Sequence, residues 1–230
     1  MVSLKIWSDF ACFTRPENKV ERVSYDVMTP SAARGVLEGI FWKPEMRYRI
    51  REIWVLNPIR RFSLVRNEVK SISSSRAAQS WNENGGGFLA DEDRTQRHAL
   101  ILRDVAYVIK AEIELTPRAS DPIQKYLEIF ERRVAKGQAH RMPYLGNREF
   151  SAAFGPLDGT ETPILETNEL GRMLFDLEFS AQKKGGIKFK QHTNSGSAIV
   201  DGVATPTFFR AKLERGVLHI PAELYKNGGA

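Results

Sequence analysis

The sequence has little of what a disulfide scaffold or a membrane anchor requires. Cys12 is the single cysteine among 230 residues, which excludes an intrachain disulfide and fits a reducing, cytoplasmic setting. No apolar run is long enough to span a bilayer, and the opening residues MVSLKIWSDF alternate like a strand rather than forming the apolar block of a signal peptide. With 42% hydrophobic residues, the chain has ample material for a core of its own.

The common catalytic signatures are also missing. No Ser/His/Asp elbow motif occurs, and residues 85–87 lack the spaced glycines and the lysine of a phosphate-binding loop. The run 91–93 is acidic, but it lies in a segment predicted to be a mobile loop, where a solvated charge run is the simpler interpretation. One cysteine cannot build a thiolate site, and the histidines are scattered: His98, His140, His192 and His219. We therefore predict no metal and no cofactor.

Positive charge is what the sequence has in excess. The formal net charge is +6 and the sequence pI is about 9.5, a balance that favours a polyanionic partner. Arg47, Arg49 and Arg51 alternate along a predicted strand, roughly 6.5–7 Å from one to the next. Such a ladder could contact successive phosphates, and a solvated sheet face is an equal alternative.

A second basic stretch occurs at residues 183–197, KKGGIKFKQHTNSGS, and includes Lys184 and Lys188. Its glycines and polar residues predict a loop. That loop could hold a phosphate backbone, or it could be a plain flexible connection.

The chain is organised around residues 20–44. Thr29 can cap a helix whose first position is Pro30, and Pro44 prevents the helix from continuing. Gly35 and Gly39 lie one turn apart, so this helix could approach either another backbone or a nucleic acid closely. The apolar face of the helix is formed by Ala33, Val36, Leu37, Ile40 and Phe41.

The remaining elements predict an α+β fold. A strand around Leu4 and Ile6 precedes the helix, and a strand over 46–60 follows it, with a slip of the apolar phase near Arg51 that indicates a bulge. A mobile insertion over 70–97 comes next. The next three predicted elements are a strand over 99–115, a helix from the capping box Asp121-Pro122-Ile123-Gln124 to Gly137, and a strand over 145–157. Strand, helix, strand, strand, helix, strand is the ferredoxin-like order.

A smaller antiparallel β unit is predicted after this arrangement, which places the domain boundary between 1–158 and 159–230. Residues 173–179 alternate cleanly between apolar and polar side chains. Residues 207–213 and 217–220 flank a plausible hairpin turn at Glu214-Arg215-Gly216.

Long specific runs also carry a resemblance. Residues 13–44, which include SYDVMTPSAARG and FWKP, resemble the N-terminal signature of the CRISPR-associated Cas five family, subtype I-C, of the RAMP superfamily. The likeness returns at NPIRRFSLVRNEV, LRDVAYVIKAEIEL, KYLEIFERRVAKGQ and LGNREF, and it thins out after about residue 160. It implies a ferredoxin-like (RRM-like) N-terminal domain and a cytoplasmic endoribonuclease. That enzyme would cut precursor CRISPR RNA without a metal and remain on the 5′ handle in a type I-C interference complex, with target DNA contacted indirectly.

The resemblance also implies a catalytic site. Family members have an aromatic residue or a histidine before Trp-Lys-Pro and a Lys-His pair opening the second helix; here those positions are Phe41 and Lys125-Tyr126. Lys125 keeps the family residue, whereas Phe41 cannot titrate and a phenol is a poor base at neutral pH. Catalysis could be weakened, rerouted through Tyr48, His140 or Lys43, or lost. Arg34 and Lys43 are further predicted RNA contacts.

Three functions follow from this reading. The first is the repeat-processing endoribonuclease, and the second is a relative that only binds the handle and organises neighbouring subunits. The third, from a different class, is a metal-dependent DNA nuclease. Cleavage in the presence of EDTA separates the first from the other two.

Overall fold

The computed structural model describes residues 1–18, 20–71, 74–87, 89–183, 185–193 and 196–225. No helix among these residues is long and apolar enough to cross a membrane. The elements, in chain order, are β1 (Val2–Ala11), β2 (Arg22–Val23), α1 (Pro30–Ile40), β3 (Met46–Val55), β4 (Arg60–Val69), α2 (Ser75–Asn84), β5 (Arg94–Leu115), α3 (Ile123–Ala135), β6 (Ala153–Gly155), β7 (Asn168–Ala181), β8 (Ile187–Thr193), β9 (Gly196–Glu214), β10 (Val217–His219) and a 3-10 helix (Ala222–Tyr225).

Helix α1 begins where its sequence predicts and ends at Ile40, just before Phe41, which was predicted to belong to its apolar face. The Thr29 hydroxyl accepts a hydrogen bond from the backbone N–H of Ala32 at 3.3 Å, and Pro30 occupies the first helical position. The helix gives way to extended backbone at Phe41, three residues before Pro44. Its buried face consists of Pro30, Ala33, Val36, Leu37 and Ile40.

The central sheet has the ferredoxin-like strand order. Strands β6, β1, β5 and β3 lie side by side in that order, and each neighbouring pair is antiparallel. Helices α1 and α3 pack on one face, where Leu37 and Phe130 join Ile6 and Ile109 in the main core. The predicted fold class is therefore confirmed, because the apolar faces of both helices meet the inward-facing residues of these strands.

Two local predictions in the sheet are also confirmed. The register between β3 and β5 shifts between Ile50 and Glu52, where the apolar phase slips. The hairpin between β9 and β10 turns at Arg215 and Gly216, with φ of 48° and 76°. Positive φ at both central turn residues matches the right-handed twist of the flanking strands.

The strands after residue 158 continue the same sheet. Strand β10 pairs with β3 on one side and with β9 on the other, and β9 pairs in turn with β7 and β8. Arg34 connects helix α1 to these C-terminal strands, because its guanidinium lies 2.6 Å from the Asp176 carboxylate on β7.

Two segments predicted as loops contain regular structure. Residues 187–193 of the basic stretch form β8, whose alternation of Ile187 and Phe189 with charged residues was hidden by the surrounding glycines. Lys188 lies on this strand, whereas Lys184 lies outside the described residues. The insertion 70–97 contains helix α2, capped by Ser74, and the first residues of β5.

Several element boundaries were wrong, and the strand predicted over 46–60 ends at Val55. Helix α3 begins after Pro122, which has no side-chain capping bond, and the Asp121 carboxylate binds Lys125 instead of capping the helix. The predicted strand 145–157 is reduced to β6, because residues 145–150 form turns that dock on the end of β1. The Cys12 N–H donates to the Leu145 carbonyl oxygen there at 3.0 Å.

Candidate nucleic-acid interface

A large open groove runs along the exposed side of α1. It has a volume of about 1610 Å³ and lies between α1, the segment 139–148, and strands β7 and β8. Two histidines, His140 and His192, line it, together with two acidic residues, Glu38 and Asp176. Its basic lining residues are Arg34, Lys43, Arg133, Arg141, Arg148 and Lys190.

One arginine binds both carboxylates in this groove. The Arg34 guanidinium donates to Glu38 at 2.9 Å and to Asp176 at 2.6 Å, so its positive charge offsets one of the two negative charges. The remaining basic side chains are then in excess over acidic ones along the lining. A concave surface with this balance attracts a polyanion, since field lines concentrate inside a cleft.

The glycines of α1 have different roles. A Cβ at Gly39 would lie 3.3 Å from the Arg141 carbonyl oxygen, and the Gly39 carbonyl accepts from the Arg141 N–H at 2.9 Å. Gly39 therefore lets the segment 139–148 approach the helix backbone. A Cβ at Gly35 would meet nothing within 4 Å, and Gly35 lines the groove.

Phe41 is a packing residue at the C-terminal end of α1. Its side chain is 3% exposed, and the Arg133 guanidinium lies 5.1 Å from the centre of its ring. The Phe41 carbonyl oxygen accepts a hydrogen bond from the Tyr48 hydroxyl at 2.8 Å. Arg133 also donates to the Ile40 carbonyl oxygen at 2.6 Å, which fixes the guanidinium over the ring at the rim of the groove.

Tyr126 is buried beneath Lys43. Its side chain is 1% exposed, and its hydroxyl donates a short hydrogen bond to the Glu45 carboxylate. The ammonium of Lys43 lies 3.7 Å from Glu45 and 5.5 Å from the centre of the Tyr126 ring. Lys43, Glu45 and Tyr126 form one connected cluster, and Lys43 is the member that lines the groove.

Neither phenol near this cluster can accept a proton at neutral pH. The hydrogen bond to the Glu45 carboxylate, followed by desolvation, raises the pKa of Tyr126 to about 12. Burial raises the pKa of Tyr48 above its ordinary value. Both hydroxyl groups therefore stay protonated and act only as hydrogen-bond donors.

Lys125 lies in the first turn of α3 with an exposed side chain. Its ammonium lies 2.8 Å from the Asp121 carboxylate, one helical turn earlier. Exposed pairs at this spacing contribute only about 0.3–0.5 kcal/mol. The lysine is therefore free to exchange Asp121 for an anionic ligand, and the N-terminal dipole of α3 favours the same ligand.

The family model described as CRISPR-associated protein (Cas_Cas5) matches residues 1–221. The chain belongs to the Cas5 family, subtype I-C. It is 48% identical over 227 residues to the CRISPR pre-crRNA endoribonuclease Cas5d of Thermus thermophilus, covering 98% of this chain and 93% of that protein.

A second relative agrees with this assignment, and a solved structure shares the fold. The protein of the same name from Mannheimia succiniciproducens is 42% identical over 233 residues, covering 96% of this chain and 94% of that protein. A functionally uncharacterised protein from Streptococcus mutans has a related crystal structure, with a TM-score of 0.60 and 22% identity. That match covers 96% of this chain and 92% of the other, and it shows the shared fold.

The arginine ladder of this Cas5 protein lies outside the groove. Arg49 binds Glu114 at 2.5 Å and Arg51 binds Glu112 at 2.6 Å. The Tyr225 ring lies over both, 4.8 Å from the Arg49 guanidinium and 5.7 Å from that of Arg51. Arg47, on the same side of β3, is exposed. The charge of the ladder is thus largely compensated by β5.

Several groove residues of this Cas5 protein were missed from the sequence. Lys190 and His192 follow Lys188 at alternate positions of β8, and the two of them line the groove. Reading IKFKQH as an alternating strand would have found them, because side chains two apart share a face. Arg133, Arg141 and Arg148 carried no local signal, since only the path of the segment after α3 brings them to the groove.

The acidic run 91–93 has a structural partner. The Asp93 carboxylate accepts from the Ser71 N–H at 2.8 Å and from the Ser71 hydroxyl at 3.0 Å, closing the β4–β5 arm. Within the described part of the chain, no group of three or more His, Cys, Asp or Glu side chains is placed to hold a metal ion.

Proposed function

We propose that this Cas5 protein binds CRISPR repeat RNA in the groove along α1 and cleaves precursor CRISPR RNA beside Lys43. The product stays bound by its 5′ handle, and the protein becomes a subunit of a type I-C interference complex. The single observation that carries the proposal is the groove itself, whose lining has six basic side chains against two carboxylates, both of which bind Arg34. The name of the Thermus thermophilus relative, a pre-crRNA endoribonuclease, supports the same activity.

The proposed reaction needs no metal ion. The ribose 2′-oxygen attacks the adjacent phosphorus and loses its proton to a base, while the bond from phosphorus to the 5′-oxygen breaks and that oxygen takes up a proton. The products are a 2′,3′-cyclic phosphate and a 5′-hydroxyl. The protein must hold the attack in line and place positive charge on the phosphorane.

We assign the positive charge to Lys125, assisted by the N-terminus of α3. Tyr126 then acts as a neutral donor that holds Glu45 and, through it, Lys43. Phe41 shapes the site by packing under Arg133. Of the three substitute proton acceptors considered from the sequence, His140 and Lys43 line the groove, whereas Tyr48 is buried.

The burial of Phe41 and Tyr126 specifically favours the second candidate function. These are the two positions at which the chain differs from the family's catalytic pattern. A protein that buries both side chains could bind the handle and organise neighbouring subunits without cutting RNA. Both functions use the same groove and the same RNA, so they are separated by chemistry rather than by binding.

The deciding experiment is cleavage of the protein's own repeat RNA in excess EDTA. We expect a 5′-hydroxyl product and a 2′,3′-cyclic phosphate, and no product from RNA carrying a single 2′-deoxynucleotide at the cut. Tight binding without cleavage would establish the assembly function instead. Cutting of DNA that requires added magnesium would support the metal-dependent nuclease and contradict both.

Groove lysines should determine how strongly RNA binding depends on salt. Lys190→Ala is expected to lower the magnitude of the slope of log K against log[salt] by about 0.7, as expected for one lost contact to a single strand. Arg49→Ala should lower it by less, because Glu114 already compensates Arg49. RNA affinity would be measured between about 50 and 300 mM salt.

Lys212, on β9 and 2.8 Å from Glu214, is the matched control, and its replacement should leave the slope unchanged. A larger loss in Arg49→Ala than in Lys190→Ala would place the RNA on the ladder of Arg47, Arg49 and Arg51 rather than in the groove. Lys188→Ala and Lys43→Ala extend the same series along β8 and the end of α1.

We place the protein in the cytoplasm. Its single cysteine, Cys12, is a buried free thiol, and burial raises the pKa of that thiol, which keeps it protonated and unreactive. A reducing compartment suits such a residue.

A further inference from the structure

Trp42 is a large apolar side chain left open to the groove. The backbone at Phe41 is extended, with φ −152° and ψ 125°, so successive side chains point to opposite sides. Phe41 is therefore buried, while the indole of Trp42 remains 41% exposed and lines the groove. An exposed indole inside a basic cleft indicates a surface prepared for a partly apolar ligand.

His192 holds the indole in place. The two ring centres lie 5.4 Å apart and the rings are tilted by 57°. The backbone next to this imidazole is anchored, because the Arg118 guanidinium donates to the His192 carbonyl oxygen at 2.5 Å. At this spacing no second ring fits between the pair, so a planar ligand must stack on the part of the indole that is still exposed.

Two lysines line the same groove as the indole. Lys43 is the next residue in the chain, and Lys190 shares the face of β8 that carries His192; both line the groove. Among the described residues, no carboxylate lies within ion-pair distance of Lys190, while Lys43 is 3.7 Å from Glu45. A planar apolar surface that shares one groove with two ammonium groups matches a nucleotide, whose base is flat and whose phosphates are anionic.

We propose that Trp42 is a stacking site for one unpaired nucleobase of the bound RNA, with the neighbouring phosphates held by Lys43 and Lys190. The base must be unpaired, since both faces of a base inside a duplex are already stacked. Stacking on an aromatic ring tolerates every base, so the site fixes the position of a single strand rather than its sequence. The inference rests on the proposed RNA-binding function and adds a contact that does not depend on cleavage.

The test uses two probes on the full-length protein: an eight-nucleotide oligoadenosine and an abasic ribose-phosphate oligomer of the same length. Trp42→Ala should weaken binding of oligoadenosine by about tenfold and leave binding of the abasic oligomer unchanged. Trp42→Phe, which retains a ring, should stay within about threefold of the wild type. Circular dichroism of each variant separates lost binding from lost folding.

Trp7 supplies a matched control. It is 42% exposed, as exposed as Trp42, but it lies on β1 and does not line the groove. Trp7→Ala should leave both affinities unchanged. The chain has four tryptophans, so the part of the fluorescence quenching by oligoadenosine that disappears in Trp42→Phe reports on Trp42 directly.

The outcomes separate this inference from the proposed function. If Trp42→Ala and the wild type bind oligoadenosine with equal affinity, the stacking site is overturned, even if repeat RNA is cleaved normally. The exposed indole would then be a contact for a protein partner. If the wild type does not cut its repeat RNA and Trp42→Ala loses oligoadenosine binding, the stacking site is supported and the nuclease function is excluded. Equal losses in Trp42→Ala and Trp7→Ala also overturn the inference.

Discussion

Lys125→Ala is expected to slow cleavage of repeat RNA by on the order of 10²–10³, the usual cost of one preorganised contact to the transition state. Lysine keeps its charge at neutral pH and can stabilise the phosphorane without a matched base beside it. RNA affinity should stay within about tenfold, because several groove cations share the binding. Single-turnover rates in EDTA, with affinity measured in parallel, test both parts.

Two variants control for charge and for the ion pair of Lys125. Lys136 is an exposed lysine at the other end of α3, and Lys136→Ala should cleave at the wild-type rate. Asp121→Asn releases Lys125 from its 2.8 Å partner and should change the rate by no more than about threefold, since an exposed pair contributes little. Equal cleavage by wild type and Lys125→Ala would show that the family's site is not used in this protein.

Gly146→Ala is expected to lower the free energy of unfolding by about 3 kcal/mol or more. The residue has φ +85°, and a Cβ there would lie 1.9 Å from the Cys12 carbonyl oxygen. A left-handed conformation costs a non-glycine residue about 1–2 kcal/mol, and relieving the backbone clash adds about 1–3 kcal/mol. Denaturant unfolding measures the loss, which should appear as a melting temperature about 10 °C lower.

Gly35→Ala is the matched substitution with the opposite expected sign. Gly35 is inside α1, and a Cβ there would meet nothing within 4 Å. Replacing a helical glycine by alanine should stabilise the protein by roughly 0.5–1 kcal/mol. If Gly35→Ala and Gly146→Ala lowered the free energy of unfolding equally, the docking of residues 145–150 on β1 would not depend on Gly146.

The elements that the sequence predicted correctly have signals within a few residues of one another. Thr29 and Pro30 start α1, and the apolar stripe from Ala33 to Ile40 fixes which face is buried. The phase slip at Arg51 marks the bulge, and Arg215-Gly216 marks the turn of the last hairpin. Together with the alternation of the strands, these signals were enough for the ferredoxin-like order.

The errors have equally local causes. Asp121 has the type and spacing of a capping residue, but Lys125 competes for its carboxylate one turn later. Glycines on both sides hid the alternation of β8, so Lys188 was predicted on a loop and its neighbours Lys190 and His192 were missed. Tyr126 was predicted as a catalytic-site residue because of its place in the family motif, and the structure buries it in the apolar face of α3.

The sequence by itself determined the fold class, the family and the basic character of this protein, because helix caps, turns and apolar periodicity depend on near neighbours in the chain. Only the tertiary structure decided which charges face the groove. Arg49 pairs with Glu114, 65 residues away, and Arg34 pairs with Asp176, 142 residues away. Whether a cation is available to a ligand depends on which carboxylates the fold brings within about 4 Å, and no spacing along the sequence fixes that distance.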